Sequence, residues 1–174
     1  MPKIITESQV KAIIRIIGGT LVETIPAGTT YNFDSDGVDL ANLPFTPAFG
    51  PSNVTKGQKV EVVSTAGMMG GGMMGGSGST TASQIRLEQQ GVHGLVSALA
   101  VSGAQGVFTL TLPTDSAFAT LTGANTIQIY QQAGTQLHGI STLANGNDVQ
   151  VRGLLFNDSG IYRLVSTWIT PHLN

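Results

Sequence analysis

Alternating apolar and polar positions dominate the C-terminal half of the chain. Period-2 alternation with many β-branched and aromatic residues is typical of a half-buried β-strand. Three stretches follow this pattern closely, and two further apolar stretches flank them; together they are residues 92–99, 107–112, 126–130, 148–151 and 161–169. The pattern predicts five short strands separated by turns rich in Gly, Asn, Asp and Ser, with one helical turn within residues 114–123.

The same order of turn and strand occurs earlier in the chain. Residues 56–62 (KGQKVEV) match residues 145–151 (NGNDVQV), and residues 82–85 match residues 166–169. An internal duplication of roughly 80 to 90 residues accounts for both matches. We therefore predict an all-β chain built from two small, related antiparallel β-barrel units.

The duplication also predicts how the chain is divided. Residues 1–20 form an N-terminal segment, and residues 21–90 form an abbreviated first barrel unit that contains a Met/Gly-rich loop at 67–79. Residues 91–174 form the second barrel unit. Gly146 and Gly153 border a predicted strand of that unit, so we expect them to matter more for folding than the glycines of the loop.

Residues 7–17 fit either a helix or a strand. A helix would begin at Thr6, with Gln9 at the capping-box position, and its apolar residues would share one face: Val10, Ile13, Ile14 and Ile17. The duplication instead predicts a β-hairpin that turns at the Gly-Gly pair 18–19, and the density of Ile also favours a strand. On the spacing we favour a short N-terminal helix.

Composition narrows the classes of partner. Of the 174 residues, 41% are hydrophobic and 10% are charged, and the net charge is −2. Nucleic acids and anionic membrane surfaces are bound by clustered cations, so we expect neither as a partner. The absence of Cys excludes disulfides and Cys-based zinc sites. No apolar run reaches the roughly 18 residues of a transmembrane helix, and we identify no signal peptide in this chain.

The run from residue 92 to residue 169 resembles an uncharacterised family of bacterial domains that occur singly or in tandem. The shared pattern comprises a Val-x-Gly-x-Val opening strand, a Phe-x-Leu strand, a Gly-x-x-Val-x-Val-x-Gly strand and a closing strand ending near Ile. Here these are residues 92–96, 108–110, 146–153 and 162–169. The first unit departs from the pattern, since Ser64 stands where a Gly is expected. The resemblance implies a small closed OB-like barrel of envelope or secreted proteins, and it brings no catalytic residues.

Two methionine pairs in the Met/Gly loop are candidate metal ligands. Thioethers are soft ligands that favour Cu(I), and the four residues are Met68, Met69, Met73 and Met74. The alternative is a hairpin tip that tolerates insertions. The glycines at 70–75 match Gly-x-Gly-x-x-Gly, but no helical periodicity follows them, so they do not indicate a dinucleotide site.

An acidic stretch near residue 35 has the oxygen spacing of a calcium loop. Its candidate ligands are Asn32, Asp34, Asp36 and Asp39. The stretch departs from the calcium-loop pattern, because its first ligand is Asn and its twelfth position is Leu43. The alternative is a plain turn, for which Asp-Gly is a common signal.

The remaining candidate chemistry is sparse. His93, His138 and His172 have no spacing that would place two of them on one face, and no Gly-x-Ser-x-Gly motif is present. Trp168, the only Trp, lies on the predicted closing strand, where core packing is the favoured interpretation and a stacking platform for sugars or bases is the alternative.

These observations favour a non-enzymatic structural or interaction module of a bacterial envelope or secreted protein, located in the periplasm, at the cell surface or outside the cell. A protein or a glycan is the expected partner, because small barrels present loops on a rigid frame. The alternative is a metal-binding module that uses copper at the methionine pairs or calcium at the acidic stretch.

Overall fold

The computed structural model describes residues 10–16, 19–66 and 80–172. These residues are mostly β-structure, as predicted, and contain one short helix. No helix within them is long and apolar enough to cross a membrane.

The first five strands form a sheet. They are β1 (Val10–Ile16), β2 (Gly19–Ile25), β3 (Thr30–Phe33), β4 (Val60–Ala66) and β5 (Thr80–Leu87). The sheet runs in the order β1-β2-β5-β3, and β4 also pairs with β5.

The N-terminal strands β1 and β2 form an antiparallel hairpin. Val10 pairs with Ile25 at its open end, and Ile16 pairs with Gly19 next to the turn. The favoured prediction of a helix is therefore wrong for residues 10–16, and the hairpin alternative is confirmed there. The β-propensity of Ile and Val, together with a partner strand, outweighs the helical spacing.

The last five strands close into a β-barrel. They are β6 (Gln90–Ser102), β7 (Gln105–Thr111), β8 (Thr126–Leu137), β9 (Asp148–Asp158) and β10 (Ile161–Pro171), in the order β10-β8-β7-β6-β9. β10 pairs with β8 in parallel, and the other four pairings are antiparallel. The five predicted strands and a closed barrel are thus confirmed in this half of the chain.

The barrel interior is filled by apolar side chains from every strand. On β7, Phe108 and Leu110 are buried whereas Val107 and Thr109, which alternate with them, are less so, as the pattern predicts. The interior cluster comprises Val92, Val96, Phe108, Leu110, Leu112, Ile127, Ile129, Leu143, Val149, Val151, Leu155, Leu164 and Ile169.

The predicted helical turn is α1 (Ala117–Thr122). The Ser116 side chain accepts a hydrogen bond from the Ala119 backbone N–H at 3.1 Å and so caps its first turn. Gly123 ends the helix in the left-handed conformation, with φ of 75°.

The finer fold prediction, two related OB-like units, is not confirmed. The duplicated segments do share local structure: Gly57 and Gly146 have φ of 87° and 86°, and each stands in a turn just before a strand, β4 and β9 respectively. The likeness therefore extends to a turn and a strand, but relatedness of two whole units stays a prediction.

The chain divides into two compact units, and both are discontinuous. One comprises Met1–Asn32 and Val60–Arg86, and the other comprises Phe33–Lys59 and Leu87–Asn174. Residues 33–59, which we call the strap, therefore belong to the same compact unit as the barrel. The sequence analysis placed them in the first barrel unit, residues 21–90.

The strap covers part of the outer surface of the barrel with aromatic side chains. The Phe45 ring lies 5.1 Å from the Tyr130 ring and 6.1 Å from the Phe156 ring, and Phe33 contacts Phe156 edge-on at 5.5 Å. Tyr130 and Phe156 are almost fully buried, yet neither belongs to the interior cluster. The barrel wall therefore carries buried side chains on its inner face and, under the strap, on its outer face.

Hydrogen bonds hold the strap at its C-terminal end. Gln58 Nε2 donates to the Leu155 carbonyl at 3.0 Å. Gln90 donates through Nε2 to the Gly57 carbonyl at 2.8 Å and accepts from the Lys59 N–H at 2.6 Å. Because these bonds satisfy backbone groups on both partners, they position the strap as well as stabilise it.

We predict that Gly153→Ala destabilises the barrel unit strongly. A Cβ at Gly153 would overlap the Val165 carbonyl of the neighbouring strand β10, and forcing atoms into packed space costs about 2–3 kcal/mol. Gly134→Ala is the matched control, because nothing lies within 4 Å of its Cβ position. Urea unfolding would measure both, and equal midpoints for the two variants would contradict the close approach.

We predict that Phe45→Ala also destabilises the barrel unit, because it removes the aromatic contact of the strap with Tyr130 and Phe156. The expected loss is about 2–3 kcal/mol, below the full cost of a buried Phe since Phe45 is only half-buried. Thr46→Ala, at an exposed strap position, should leave stability unchanged. Thermal melts that coincide for Phe45→Ala and wild type would show that the strap does not support the barrel.

Candidate functional site

A β-bulge interrupts β10 near its C-terminal end. The pairing of β10 shifts between Ser166 and Trp168 on both of its sides, so Thr167 is unpaired in both ladders and is an extra residue relative to β9. Leu164 and Ile169 both belong to the interior cluster although regular alternation would put them on opposite faces. The bulge therefore turns Trp168 to the outside of the barrel.

β8 has a matching irregularity opposite the bulge. Ser166 pairs with Gln131 and Trp168 pairs with Gln136, so four residues of β8 arch out between them. The Thr135 hydroxyl accepts from the Gln132 N–H at 2.9 Å and donates to the Ser166 carbonyl at 2.7 Å. One side chain thus satisfies two backbone groups that the interrupted ladder leaves unpaired.

A groove of about 360 Å³ opens beside these two irregularities. Gly134 and Gln136 of β8 and His138 directly after it line one side, and Arg152, Thr167 and Trp168 of β9 and β10 line the other. Trp168 pairs in register with Arg152 on β9 and with Gln136 on β8. Since opposite residues in paired strands are direct neighbours, these three side chains form a row across three strands.

The strap and the start of β6 complete the rim. Asp36, Gly37 and Gln89 line the groove there. Gln89 Nε2 donates to the Asp36 carbonyl at 2.8 Å, and the Thr167 hydroxyl donates to Gln89 Oε1 at 3.1 Å. Gln89 therefore joins the strap to the bulge of β10.

The indole of Trp168 is held in one orientation. The His138 ring meets it edge-on, with 5.8 Å between ring centroids and 68° between ring planes, and His138 Nε2 lies 3.0 Å from Gln136 Oε1. Trp168 is half-buried and is absent from the buried core. The favoured interpretation of Trp168 as a core residue is therefore wrong, and the alternative, a stacking platform for sugars or bases, stays a prediction.

Two opposite charges stand unpaired in the groove. Within residues 10–16, 19–66 and 80–172, the Arg152 guanidinium and the Asp36 carboxylate have neither an ion pair nor a side-chain hydrogen bond. Both side chains are exposed. Each is thus free to bind a polar group of a ligand.

The acidic stretch forms turns. Asp34 Oδ1 accepts from the Asp36 N–H at 3.2 Å, and Asp39 Oδ1 accepts from the Ala41 N–H at 2.9 Å. Bonds from an Asp side chain to the backbone two residues on are typical of Asx-turns. In the described part of the chain no group of three His, Asp or Glu side chains could hold a metal ion. A calcium site at Asn32, Asp34, Asp36 and Asp39 stays a prediction.

The methionine pairs lie outside the described residues. Copper binding by Met68, Met69, Met73 and Met74 therefore also stays a prediction.

Two of the three histidines meet at the end of β10. The rings of His93 and His172 stack at 4.3 Å with 18° between their planes, and His172 Nδ1 lies 3.4 Å from Asp148 Oδ2. Spacing along the chain gave no signal for this contact, because the residues come from strands far apart in sequence. Among the described residues, the two rings and Asp148 do not form a group that could hold a metal ion.

A second polar cluster is already fully engaged. Arg163 Nε donates to Asp158 Oδ2 at 2.9 Å and Nη1 donates to Gln128 Oε1 at 2.6 Å. Its guanidinium also contacts the Tyr130 hydroxyl and lies 5.1 Å from the centre of the Phe45 ring. With its side chain 17% exposed, Arg163 fastens the strap and leaves little room for a ligand.

The chain matches no protein-family model and no curated protein.

Sequence reasoning singled out Trp168, His138 and Asp36 separately but did not place them together, and it missed Arg152, Gln136 and Gln89. These residues become neighbours only through strand register and the position of the strap. The one available signal was the irregular rhythm of residues 161–169, which marks the bulge.

We predict that Thr135→Val loosens the groove. The substitution keeps the shape of the side chain but leaves the Gln132 N–H and the Ser166 carbonyl without their partner, at a cost of about 1–3 kcal/mol. Thr170→Val is the control, since no hydrogen bond of the Thr170 side chain is present among the described residues. Amide hydrogen exchange should accelerate at Gln132 in Thr135→Val alone; unchanged exchange would contradict this role.

Proposed function

We propose that this protein is a non-enzymatic interaction module that binds its partner in the groove around Trp168. The observation that carries the proposal is the bulge at Thr167, which places the only Trp of the chain on the outer surface beside two unpaired charges. Bulges commonly re-aim a side chain next to a functional site. An aromatic side chain with a few convergent polar groups in a concave site is typical of ligand binding.

The strand order supports an OB-like barrel. Counting β6 as the first barrel strand and β10 as the fifth, the order around the barrel is first, second, third, fifth, fourth, and the parallel pair joins the third and fifth strands. OB folds are five-stranded Greek-key barrels that bind oligonucleotides and oligosaccharides. Since a fold does not specify a function, the groove and not the fold carries the proposal.

The hydrogen bonding of the groove favours binding over catalysis. Thr167 carries the one hydroxyl of the lining, and it donates to Gln89 and contacts the Arg152 carbonyl at 3.2 Å. A nucleophile would need a base within hydrogen-bond reach, whereas the partners of Thr167 are an amide and a carbonyl. His138 is likewise bonded to an amide, that of Gln136.

The family resemblance of residues 92–169 supports a role in the bacterial envelope or outside the cell. That location is part of the proposal, as is the expectation that the partner is a glycan or a protein and not a nucleic acid.

The test is a binding screen of the full chain against glycan and peptide arrays, repeated with Trp168→Ala. We expect the variant to lose at least about tenfold in affinity, because Trp at the centre of a site is among the costliest side chains to remove. Ile161→Ala, which truncates an apolar side chain exposed elsewhere on the barrel, should bind like wild type.

Melting temperatures of both variants show whether they are folded, and Trp168→Phe provides a milder change if Trp168→Ala unfolds. Equal affinity of wild type and the folded Trp168 variants for every bound partner would overturn the groove as the binding site.

A further inference from the structure

The groove contains one indole surrounded by planar polar groups. Trp168 stands between Arg152 and Gln136 in the row across β9, β10 and β8, and Asp36 faces the same space from the strap. We infer that the ligand of this groove is a neutral saccharide of one or two rings; this rests on the proposed function and names its ligand class.

The aromatic side chain provides an apolar surface of the right kind. A sugar ring has an apolar face made of its C–H groups, and an indole presents a flat apolar face of similar extent. The edge-on contact with His138 and the half-burial of Trp168 restrict the orientations open to the indole. Less conformational entropy is then lost on binding than with a mobile side chain.

The polar groups of the groove supply both the hydrogen-bond donors and the hydrogen-bond acceptors that a sugar hydroxyl needs. Each sugar hydroxyl donates one hydrogen bond and accepts others. The Arg152 guanidinium only donates, the Asp36 carboxylate only accepts, and the Gln136 amide does both. Because Arg152 and Asp36 are engaged with no other side chain of the described residues, a ligand need not break existing bonds to reach them.

The charge balance selects a neutral ligand. One formal positive charge, on Arg152, and one formal negative charge, on Asp36, line the groove. An acidic sugar or a phosphate would be attracted by one and repelled by the other. Nucleic acids are bound by several clustered cations, and this groove provides one Arg and no Lys.

The shape disfavours a peptide. Extended peptides commonly bind by pairing with an exposed strand edge, but Arg152 on β9 and Trp168 on β10 are each paired with a strand on both sides. Peptide side chains also need apolar pockets as anchors, whereas Trp168 is the one large apolar side chain of the lining. The volume of about 360 Å³ lies near the lower limit of ligand pockets, which suits one or two sugar rings.

The fluorescence of Trp168 gives a direct test, because the full chain contains no other Trp. The probes are neutral saccharides (glucose, galactose, mannose, N-acetylglucosamine, cellobiose and chitobiose), with digalacturonate, tetraglycine and a thymidine oligonucleotide as comparison ligands. We expect at least one neutral saccharide to shift the emission and to protect Trp168 from acrylamide quenching. Its affinity should stay constant from about 0.05 M to about 0.5 M salt, since no ion pair forms.

Two matched pairs of variants locate the contacts. Arg152→Ala and Asp36→Asn should each weaken the saccharide about tenfold or more. Lys56→Ala and Asp115→Asn, which change exposed charges outside the groove, should have no effect. All four positions are exposed, so the variants are expected to fold, and their melting temperatures check this.

The outcomes separate the ligand class from the binding site. If digalacturonate, tetraglycine or the oligonucleotide perturbs Trp168 and no neutral saccharide does, the ligand class is wrong while the groove remains the proposed site. If no neutral saccharide perturbs Trp168, or if the bound one is insensitive to Arg152→Ala and Asp36→Asn, the inference is overturned. A partner found on the arrays whose affinity is unchanged in folded Trp168 variants would overturn the proposed function itself.

Discussion

Closure of the barrel by the parallel pairing of β10 with β8 is the constraint on which the rest of this unit depends. The four antiparallel pairings alone would join the five strands into an open sheet with β8 and β10 at its free edges. The parallel pairing joins those two edges. Where β10 pairs with both β8 and β9, it includes one residue that is extra relative to β9, Thr167, and four residues of β8 arch out opposite it. The irregularity is therefore a part of how the barrel closes.

The candidate site follows directly from that irregularity. Beyond the bulge, Ile169 returns to the interior and Trp168 turns outward, so the core is kept while a large aromatic side chain reaches the surface. Ser166 and Thr135 stabilise this arrangement, because the Ser166 hydroxyl donates to the Tyr130 carbonyl at 3.0 Å and Thr135 satisfies the interrupted ladder. A site supported by such buried bonds is preorganised for its ligand.

Burial on both sides of the barrel wall explains the role of the strap. Val165, Tyr130, Leu154 and Phe156 are buried but do not belong to the interior cluster. The strap contacts two of them, Tyr130 and Phe156, through aromatic rings. Its N-terminal part lines the rim of the groove, where the Asp36 carbonyl accepts a hydrogen bond from Gln89. The strap therefore both covers the outer face of the barrel and supplies residues of the groove. This linkage follows from the low content of charged residues, since an apolar outer wall has to be covered by the chain itself.

The sequence by itself determined the strands of the barrel, its turns and the capped helical turn, because alternation, glycines and Ser116 are local signals that act within a few residues. It also indicated that Gly153 matters for folding, and the close approach of the Val165 carbonyl explains why. It misjudged residues 10–16, where helical spacing competed with a strand partner that is not visible in a short window. Only the tertiary structure decided that residues 33–59 pack on the barrel, that Trp168 faces outward, and that Arg152, Gln136 and Asp36 surround it. These neighbours are set by register and by one extra residue in β10, and a shift of one residue reverses the face on which every later side chain lies.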